Sequence, residues 1–336
     1  MMRAGRPMPE SGVNIIRAAH GEFRVTDLER ARTFYVDLLG FIETERTSDA
    51  LYLRGLEERG HHSLVLRLGH AACAGHLGFR VESEDDLDLL EGFCVDQGMS
   101  CRWLQPDEEP GQGRALRLQD PAGLPLEFFA AMEPAERMLQ RFDLHRGAQV
   151  MRFDHFNCQV PDVDAAYEWY ASQLGFGCSE YTAGQADDLW AVWLQRKGNV
   201  HDLALMTGIG PRVHHLGFWV ADTLSVLRAC DILAGAGWVE SIERGPGRHG
   251  ISNAFFLYLR DPDGNRIELY ANDYQVADPD WEPIRWELDD PRRATFWGHA
   301  APASWFDDAA LCESVVTGEL LPIVLPRGAD RPAHVT

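Results

Sequence analysis

Two histidines and a glutamate in the second half of the chain have the types and placement to bind a metal ion. His155 and His214 each open a stretch with the alternation of a β-strand, and Glu268 lies within a third such stretch. Two imidazoles and one carboxylate on one face of an ion leave other coordination positions free, as in the non-haem Fe(II) oxygenases. We therefore predict a divalent metal site at these three residues.

The elements that position these residues occur twice in the chain. The segment that begins at His20 aligns with the segment that begins at His155 at an offset of 135 residues, and later segments align at offsets of 139 and then 141. The matched pairs include His20 with His155, His62 with His201, His76 with His215, and Asp120 with Asp261. Such long self-similarity indicates a tandem duplication.

Each copy is predicted to hold two units of the order βαβββ. In the second copy, residues 153–159 alternate as a strand, Asp162 or Pro161 begins a helix and Gly175 ends it. The cycle restarts with a strand at 215–220 and a helix at about 222–234. A tight turn at Asp261 separates two final strands. The predicted fold class is α+β, with four βαβββ modules in two tandem domains.

The repeat also gives expected domain bounds. Residues 133–149 look like a charged, helical linker, and four tryptophans in the C-terminal segment favour packing over a free tail. We expect this segment to fold over the second domain as a lid. The expected parts are a tail at 1–13, a first domain at 14–133, a linker at 134–150, a second, catalytic domain at 151–272, and the lid segment at 273–336.

Composition argues against several classes of function. The formal net charge of −21 would repel a phosphate backbone or an anionic membrane surface. No apolar run approaches the ~18 residues of a membrane span, and none follows Arg3 and Arg6 as in a secretory signal. The seven cysteines are scattered, without a Cys-x-x-Cys motif, which argues against a disulfide framework. We expect a cytoplasmic protein with a small-molecule partner, and no nucleic acid or membrane partner.

A difference between the copies favours the second one for metal binding. The first copy has His20 and Glu127 at matching positions, but Gly75 stands where the second copy has His214. We therefore expect no metal in the first domain, where His20 and Glu127 would be structural or relic residues.

Several runs of the second half resemble a known family. The runs RKGNVHDLALM, GPRVHHLGFWVAD, ERGPGRHGISNAFFLYLRDPDGNRIELYANDY and PRRATFWG are similar to type I extradiol ring-cleaving dioxygenases of the vicinal oxygen chelate (glyoxalase/bleomycin resistance-like) superfamily. They are most similar to the subgroup that acts on 3,4-dihydroxyphenylacetate (homoprotocatechuate). The resemblance implies two tandem domains of that fold and an Fe(II) cofactor, with Mn(II) as the alternative. It also implies a homotetramer in aromatic catabolism that cleaves this catechol with O₂ to 5-carboxymethyl-2-hydroxymuconate semialdehyde.

The resemblance also implies a role for each matched residue. His155, His214 and Glu268 would bind the metal. The implied catalytic residues are His201 as acid and base beside O₂, Asn157 near the oxygen position, and His249 with Tyr258 at the catecholate oxygens. The implied substrate-binding residues are Trp193 as a pocket wall, Arg244 and Arg293 for the carboxylate, and Arg248 beside them. Arg292 could fill the role of Arg293, and the stretch from Gly245 to Gly247 would be a lid hinge or a plain surface turn.

Other functions remain open at this point. The chain could cleave another substituted catechol. A glyoxalase or a 4-hydroxyphenylpyruvate dioxygenase could also use a His/His/Glu set, although the match through His201, His249 and Tyr258 argues against both. A metal-free binding protein of the drug-sequestering type shares the fold, but the intact ligand set argues against it.

Overall fold

The protein contains two β-sheets, one in each copy of the repeat. The computed structural model describes residues 7–278, 280–329 and 331–332. Residues 1–6 of the predicted tail and a few positions of the predicted lid segment lie outside the described residues. The first sheet has eight strands and the second has ten. The two predicted α+β domains with four βαβββ modules are confirmed, whereas their exact bounds stay predictions.

The first half contains two modules. Its helices are α1 (Leu28–Arg32), which continues as a π-helical turn at Thr33–Leu38, and α2 (Glu84–Asp96). Its strands are β1 (Ile15–Val25), β2 (Ile42–Arg46), β3 (Ala50–Arg54), β4 (Leu64–Leu68), β5 (Cys73–Val81), β6 (Cys101–Leu104), β7 (Ala115–Gln119) and β8 (Pro125–Phe129). They lie in the order β2-β3-β4-β1-β5-β8-β7-β6.

The second half repeats this plan. Its helices are α3 (Val163–Leu174) and α4 (Thr223–Gly235). Its strands are β9 (Val150–Val160), β10 (Gly177–Ala183), β11 (Leu189–Gln195), β12 (Leu203–Thr207), β13 (Arg212–Val220), β14 (Ile242–Arg248), β15 (Phe255–Arg260) and β16 (Arg266–Ala271). They lie in the order β14-β15-β16-β13-β9-β12-β11-β10.

The pairing of strands is the same in both halves. Within each module the first strand runs parallel to the last, so β9 pairs with β12 and β13 with β16. The first strands of sibling modules, β9 and β13, run antiparallel at the centre of the sheet. The strands β9, β13 and β16 are therefore direct neighbours, and side chains on one face of them can meet.

Helix α3 shows how local sequence sets the bounds of an element. The side chain of Asp162 accepts a hydrogen bond from the backbone N–H of Ala165, and Gly175 ends the helix with a φ of 68°. An acidic side chain commonly caps the N-terminus of a helix, and a glycine with positive φ commonly ends it. Both ends agree with the prediction.

Three local expectations differ from the structure. The linker is not an α-helix and forms only a short 3₁₀ turn at Phe142–Leu144, because Phe142 and Leu144 stay exposed and so supply no buried apolar face. The stretch from Gly245 to Gly247 belongs to strand β14 rather than to a hinge loop. Strand β10 was not predicted, although it pairs with β11 over most of its length.

The C-terminal segment packs on the second half. Strand β17 (Ile284–Glu287) extends the second sheet beside β10, strand β18 (Ala310–Leu311) pairs with β13, and the short helix α5 (Ser304–Asp307) lies between them in the chain. Buried Glu180 on β10 helps to hold this segment, because it accepts hydrogen bonds from Tyr274 and Trp286.

The two halves share one continuous hydrophobic core and two reciprocal hydrogen bonds. Tyr35 of the first half donates to Asp261 of the second at 3.1 Å, and Tyr170 of the second half donates to Asp120 of the first at 2.7 Å. Burial raises the pKa of Asp120 and of Asp261 to about 6. Each half therefore completes a buried polar contact of the other.

The sequence argued against a disulfide framework and against a membrane span. All seven cysteines are free, and five of them are buried. Among the helices of the described residues, none combines the length and the apolar character that crossing a membrane requires.

Candidate active site

Three buried donor atoms from neighbouring strands converge in the second half. The Nε2 atoms of His155 on β9 and His215 on β13 lie 3.3 Å apart, and Oε2 of Glu268 on β16 lies 3.1 and 3.2 Å from them. Donors bound at about 2.1 Å and at right angles to one another are separated by about 3 Å. The three atoms therefore fit one face of an octahedral divalent ion, with the opposite face left to other ligands.

A glycine between the strands makes this convergence possible. Gly217 lies opposite His155 in one strand pair and opposite Glu268 in the other. A Cβ atom at this position would lie 2.2 Å from the imidazole of His155. Any larger residue would displace the ring, so the metal-binding geometry depends on glycine here.

The prediction of His214 as the second imidazole ligand is wrong, and His215 takes that place. Adjacent residues of a strand point to opposite faces. His214 points away from His155: its Nε2 lies 2.8 Å from the backbone oxygen of Trp305, and its ring packs against the Trp305 ring. The internal repeat held the correct signal, because it aligns His215, and not His214, with a histidine of the first copy.

Both histidines of the triad form a hydrogen bond through the ring nitrogen that faces away from Glu268. Nδ1 of His155 lies 3.1 Å from Oδ2 of Asp154, and Nδ1 of His215 lies 2.7 Å from Nδ1 of His214. Such outer hydrogen bonds fix the orientation and tautomer of a metal-binding imidazole. His214 thus lies behind His215 and is not among the three residues whose donor atoms converge.

Two polar side chains next to the triad, His201 and Asn157, each have one buried atom that forms no hydrogen bond to any described residue. The ring of His201 is 4.0 Å from that of His155, and burial together with the neighbouring His155 lowers its pKa well below the usual value. Within the described part of the chain, Nδ1 of His201 and Oδ1 of Asn157 are buried and have no hydrogen-bond partner. Both residues line the cavity beside the triad, where a bound molecule can reach them.

His249 and Tyr258 form a pair on the other side of Glu268. Nε2 of His249 lies 2.8 Å from the Tyr258 hydroxyl and 3.8 Å from Oε1 of Glu268. Burial and the Glu268 carboxylate raise the pKa of Tyr258. Burial and the Arg244 guanidinium lower the pKa of His249 to about 3. At neutral pH this pair is therefore an uncharged phenol beside an uncharged imidazole.

Two buried arginines face the same cavity and form no ion pair in the described structure. Arg244 donates through Nη2 to the backbone oxygen of Ala294 and to Thr295, while its Nε and Nη1 are buried without a partner. Arg293 lies over the ring of Trp190 and donates to one backbone oxygen. Burial lowers the pKa of each guanidinium to about 10, so both stay charged at neutral pH. Two uncompensated cations at one cavity are a site for an anion.

The other two arginines of this region do not reach the cavity. Arg292 is largely exposed and pairs with Asp290 at 2.7 Å, so Arg293 is the residue that points inward. Arg248 was predicted to bind substrate, but it donates to the backbone oxygen of Asn253 and its guanidinium lies over Phe255. It is absent from the cavity lining, which corrects that expectation.

The cavity has a volume of about 390 Å³ and an aromatic wall. Trp193 lines it, as predicted from the sequence. Trp190 and Trp305 also line it, although no pattern in the sequence indicated either role. Trp305 comes from the C-terminal segment, which has no counterpart in the first copy and so could not be aligned.

The first half repeats the triad, contrary to expectation. His20 on β1, His76 on β5 and Glu127 on β8 form a second buried group whose donor atoms converge. The predicted absence of metal relied on Gly75 as the counterpart of His214, and that pairing fails because the ligand position is His215, which aligns with His76. Both halves therefore carry two imidazoles and one carboxylate at equivalent positions.

Comparisons with known proteins agree with this geometry. Residues 152–269 match the model of the Glyoxalase/Bleomycin resistance protein/Dioxygenase superfamily, and residues 75–133 match that of the catechol 2,3-dioxygenase-like N-terminal domain. A manganese-dependent 2,3-dihydroxybiphenyl 1,2-dioxygenase of Geobacillus genomosp. 3 is 31% identical, over 89% of this chain and 99% of the relative.

Two solved structures are similar over almost the whole chain. Homoprotocatechuate 2,3-dioxygenase of Brevibacterium fuscum, in complex with 3,4-dihydroxyphenylacetate, has a TM-score of 0.91 at 38% identity and covers 95% of this chain and 100% of its own. The enzyme of the same name from Arthrobacter globiformis has a TM-score of 0.91 at 39% identity and covers 96% of this chain and 99% of its own.

Proposed function

The chain belongs to the extradiol catechol dioxygenases of the glyoxalase/bleomycin resistance protein/dioxygenase superfamily, and from this premise we propose that its substrate is 3,4-dihydroxyphenylacetate. The product would be 5-carboxymethyl-2-hydroxymuconate semialdehyde. The observation that carries this proposal is the pair of buried, uncompensated guanidinium groups of Arg244 and Arg293 in the cavity of the His/His/Glu triad. A catechol with a short carboxylated side chain supplies the missing anion.

We propose Fe(II) as the resident metal. Two imidazoles and one carboxylate with an open face suit Fe(II), and the manganese-dependent relative makes Mn(II) the competing outcome. When bound, the ion supplies a centre that holds a catechol and O₂ side by side and passes electron density between them. Metal analysis of enzyme purified without chelator tests this assignment.

The side chains around the triad divide into two groups by position. His201 and Asn157 lie beside His155, where they can hydrogen-bond O₂ and where His201 can hold or return a proton. His249 and Tyr258 lie beside Glu268, where they can orient the hydroxyl oxygens of the catechol. Trp193 and Trp190 form the apolar wall against which the aromatic ring can lie.

The substrate assignment is tested by comparing two adjacent arginines. Arg293→Gln removes a buried cation of the cavity, whereas Arg292→Gln removes an exposed one and serves as the matched control. A charge-assisted hydrogen bond contributes about 1.5 to 3 kcal/mol, so Arg293→Gln should lower kcat/KM for 3,4-dihydroxyphenylacetate about 10- to 100-fold. The assay follows the yellow ring-fission product after anaerobic loading with Fe(II).

The same assay with uncharged catechols separates the possible outcomes. With 4-methylcatechol, Arg293→Gln should change kcat/KM little, because this substrate has no carboxylate. Equal losses on both substrates would overturn carboxylate recognition by Arg293. A wild-type preference for 2,3-dihydroxybiphenyl or for catechol would instead support cleavage of another substituted catechol.

We also propose a cellular location, an oligomeric state and a biological role for the protein. Seven free cysteines suit a reducing compartment, which supports a cytoplasmic location. We propose a homotetramer and a role in aromatic catabolism, and light scattering on a sizing column measures the assembly. We further propose that the segment after residue 272 covers the cavity, since Arg293 and Trp305 of this segment line it.

A further inference from the structure

We propose that the first half of the chain binds its own divalent transition-metal ion, at His20, His76 and Glu127. This ion would be structural and separate from the one in the second half. The proposal does not depend on the substrate of the enzyme, because all three residues belong to the first sheet.

The donor atoms of the first half have the spacing of a metal site. The Nε2 atoms of His20 and His76 lie 2.9 Å apart, and Nε2 of His20 lies 3.0 Å from Oε1 of Glu127. Nε2 of His76 lies 3.7 Å from the other carboxylate oxygen, Oε2 of Glu127, and one donor atom from each of the three residues lies within 4.8 Å of the other two. Separations of about 3 Å correspond to angles of about 90° between ligands bound at about 2.1 Å. All three side chains are buried, so the ion would be enclosed by protein.

The backbone around this group is arranged as in the catalytic half. Gly78 lies opposite His20 in one strand pair and opposite Glu127 in the other, as Gly217 does for its own histidine and glutamate. A Cβ atom on Gly78 would lie 2.3 Å from the imidazole of His20. Four equivalent positions therefore keep the same residue types, although many other positions of the two copies differ.

The surroundings close the first-half group to a substrate. Arg117 lies opposite Glu127 in the strand pair, where the second half has Tyr258 opposite Glu268. It donates to Oε2 of Glu127 at 2.6 Å and also pairs with Glu109. Glu22 aligns with Asn157 and pairs with Arg67 at 2.9 Å. Charged side chains thus occupy the space that is a cavity in the second half, which assigns the ion a structural role.

The donor set indicates which ions fit and how firmly they bind. Two imidazole nitrogens favour Zn²⁺, Fe²⁺ or Co²⁺ over Mg²⁺ and Ca²⁺, which prefer oxygen ligands. Within the described residues, the outer Nδ1 atoms of His20 and His76 have no hydrogen-bond partner, unlike those of His155 and His215. Loss of such outer contacts lowers metal affinity about 10- to 100-fold, so this ion should leave first under a chelator.

Metal content of the full-length chain tests the proposal. After stripping and reloading with Zn²⁺, wild type should retain two ions per chain after gel filtration, as measured by mass spectrometry. His76→Gln should retain one, with kcat for ring cleavage after Fe(II) loading changed less than about twofold. His70→Gln removes an exposed histidine outside the group and should retain two. One ion in wild type, or equal content in wild type and His76→Gln, would contradict the proposal.

Anomalous diffraction from wild-type crystals gives an answer without any variant. A peak at the zinc edge between His20, His76 and Glu127 would establish the site. A peak at His155, His215 and Glu268 alone would overturn this inference and leave the catalytic metal intact. Absence of both peaks from loaded crystals would refute this site and, separately, the metal part of the proposed function.

Discussion

The two halves of this molecule share a scaffold and a ligand triad but differ in what surrounds the triad. In the second half the neighbours of the carboxylate are Tyr258 and His249, and a cavity opens beside them. In the first half the corresponding neighbours include Arg117 and Gln112, both of which donate to Glu127. Strand register thus sets the positions of the donor atoms, whereas the lining decides whether a substrate can approach.

The largest effect on activity should appear when the two adjacent histidines of strand β13 are each replaced in turn. His215→Gln removes the imidazole that we propose as a metal ligand and should lower ring-cleavage activity more than about 1000-fold, since a bound metal contributes several kcal/mol to the reaction. His214→Gln removes only an outer contact and should cost about 10- to 100-fold. Activity and metal content of both variants check this order, and the reverse order would restore His214 as the ligand.

Arg117 and Tyr258 occupy equivalent positions, but replacing Arg117 should reduce stability whereas replacing Tyr258 should reduce activity. Arg117→Met leaves Glu127 buried without its cation, and Glu109 with Arg67 alone, and should lower the free energy of unfolding by about 3 to 5 kcal/mol. Tyr258→Phe should leave stability nearly unchanged and lower kcat about tenfold, through loss of one hydrogen bond at the site. Urea unfolding and steady-state kinetics measure the two effects. A catalytic loss in Arg117→Met at full stability would contradict the division of roles.

The two central glycines provide a further comparison. Gly217→Ala forces the ring of His155 to move and should lower catalytic metal content and activity about 10- to 100-fold, as expected for overpacking of about 1 to 3 kcal/mol. Gly78→Ala creates the same clash at His20 and should lower stability by a similar free energy while ring cleavage continues. Thermal unfolding with and without added metal records both. Equal loss of activity in the two variants would show that the halves are coupled.

The smallest effect concerns the reciprocal contacts between the halves. The pKa of Asp120 and Asp261 in the folded state is about 6, above the ordinary value of 3.8, so the folded state binds more protons between these values. Stability should therefore fall as pH rises through the folded-state pKa, by about 1.4 kcal/mol for each group between pH 5 and pH 8. Asp120→Asn and Asp261→Asn should each lose about half of this dependence. Denaturant midpoints at pH 5 and pH 8 would refute it if the variants followed wild type.

The sequence predicted much of this fold because the repeat could be aligned with itself. The module order, helix α3 and two of the three residues of the His/His/Glu triad followed from matched residues and capping signals. His214 was predicted in place of His215 because the two adjacent histidines are hard to tell apart by pattern. Both are buried, and a bulge between Val213 and His215 interrupts the alternation of the strand. The inward position of Arg293 was anticipated by resemblance, but Trp305 could not be, since nothing in the first copy corresponds to its segment.

The contact between Tyr35 and Asp261 also has a consequence for synthesis of the chain. The acceptor lies 226 residues after the donor, so the hydroxyl of Tyr35 must wait for most of the polypeptide to leave the ribosome. Until then the first half carries a polar group that its own residues do not satisfy in the finished fold. The hydrogen bond from Tyr35 can therefore form only late in translation, after the turn at Asp261 in the second copy has been synthesised.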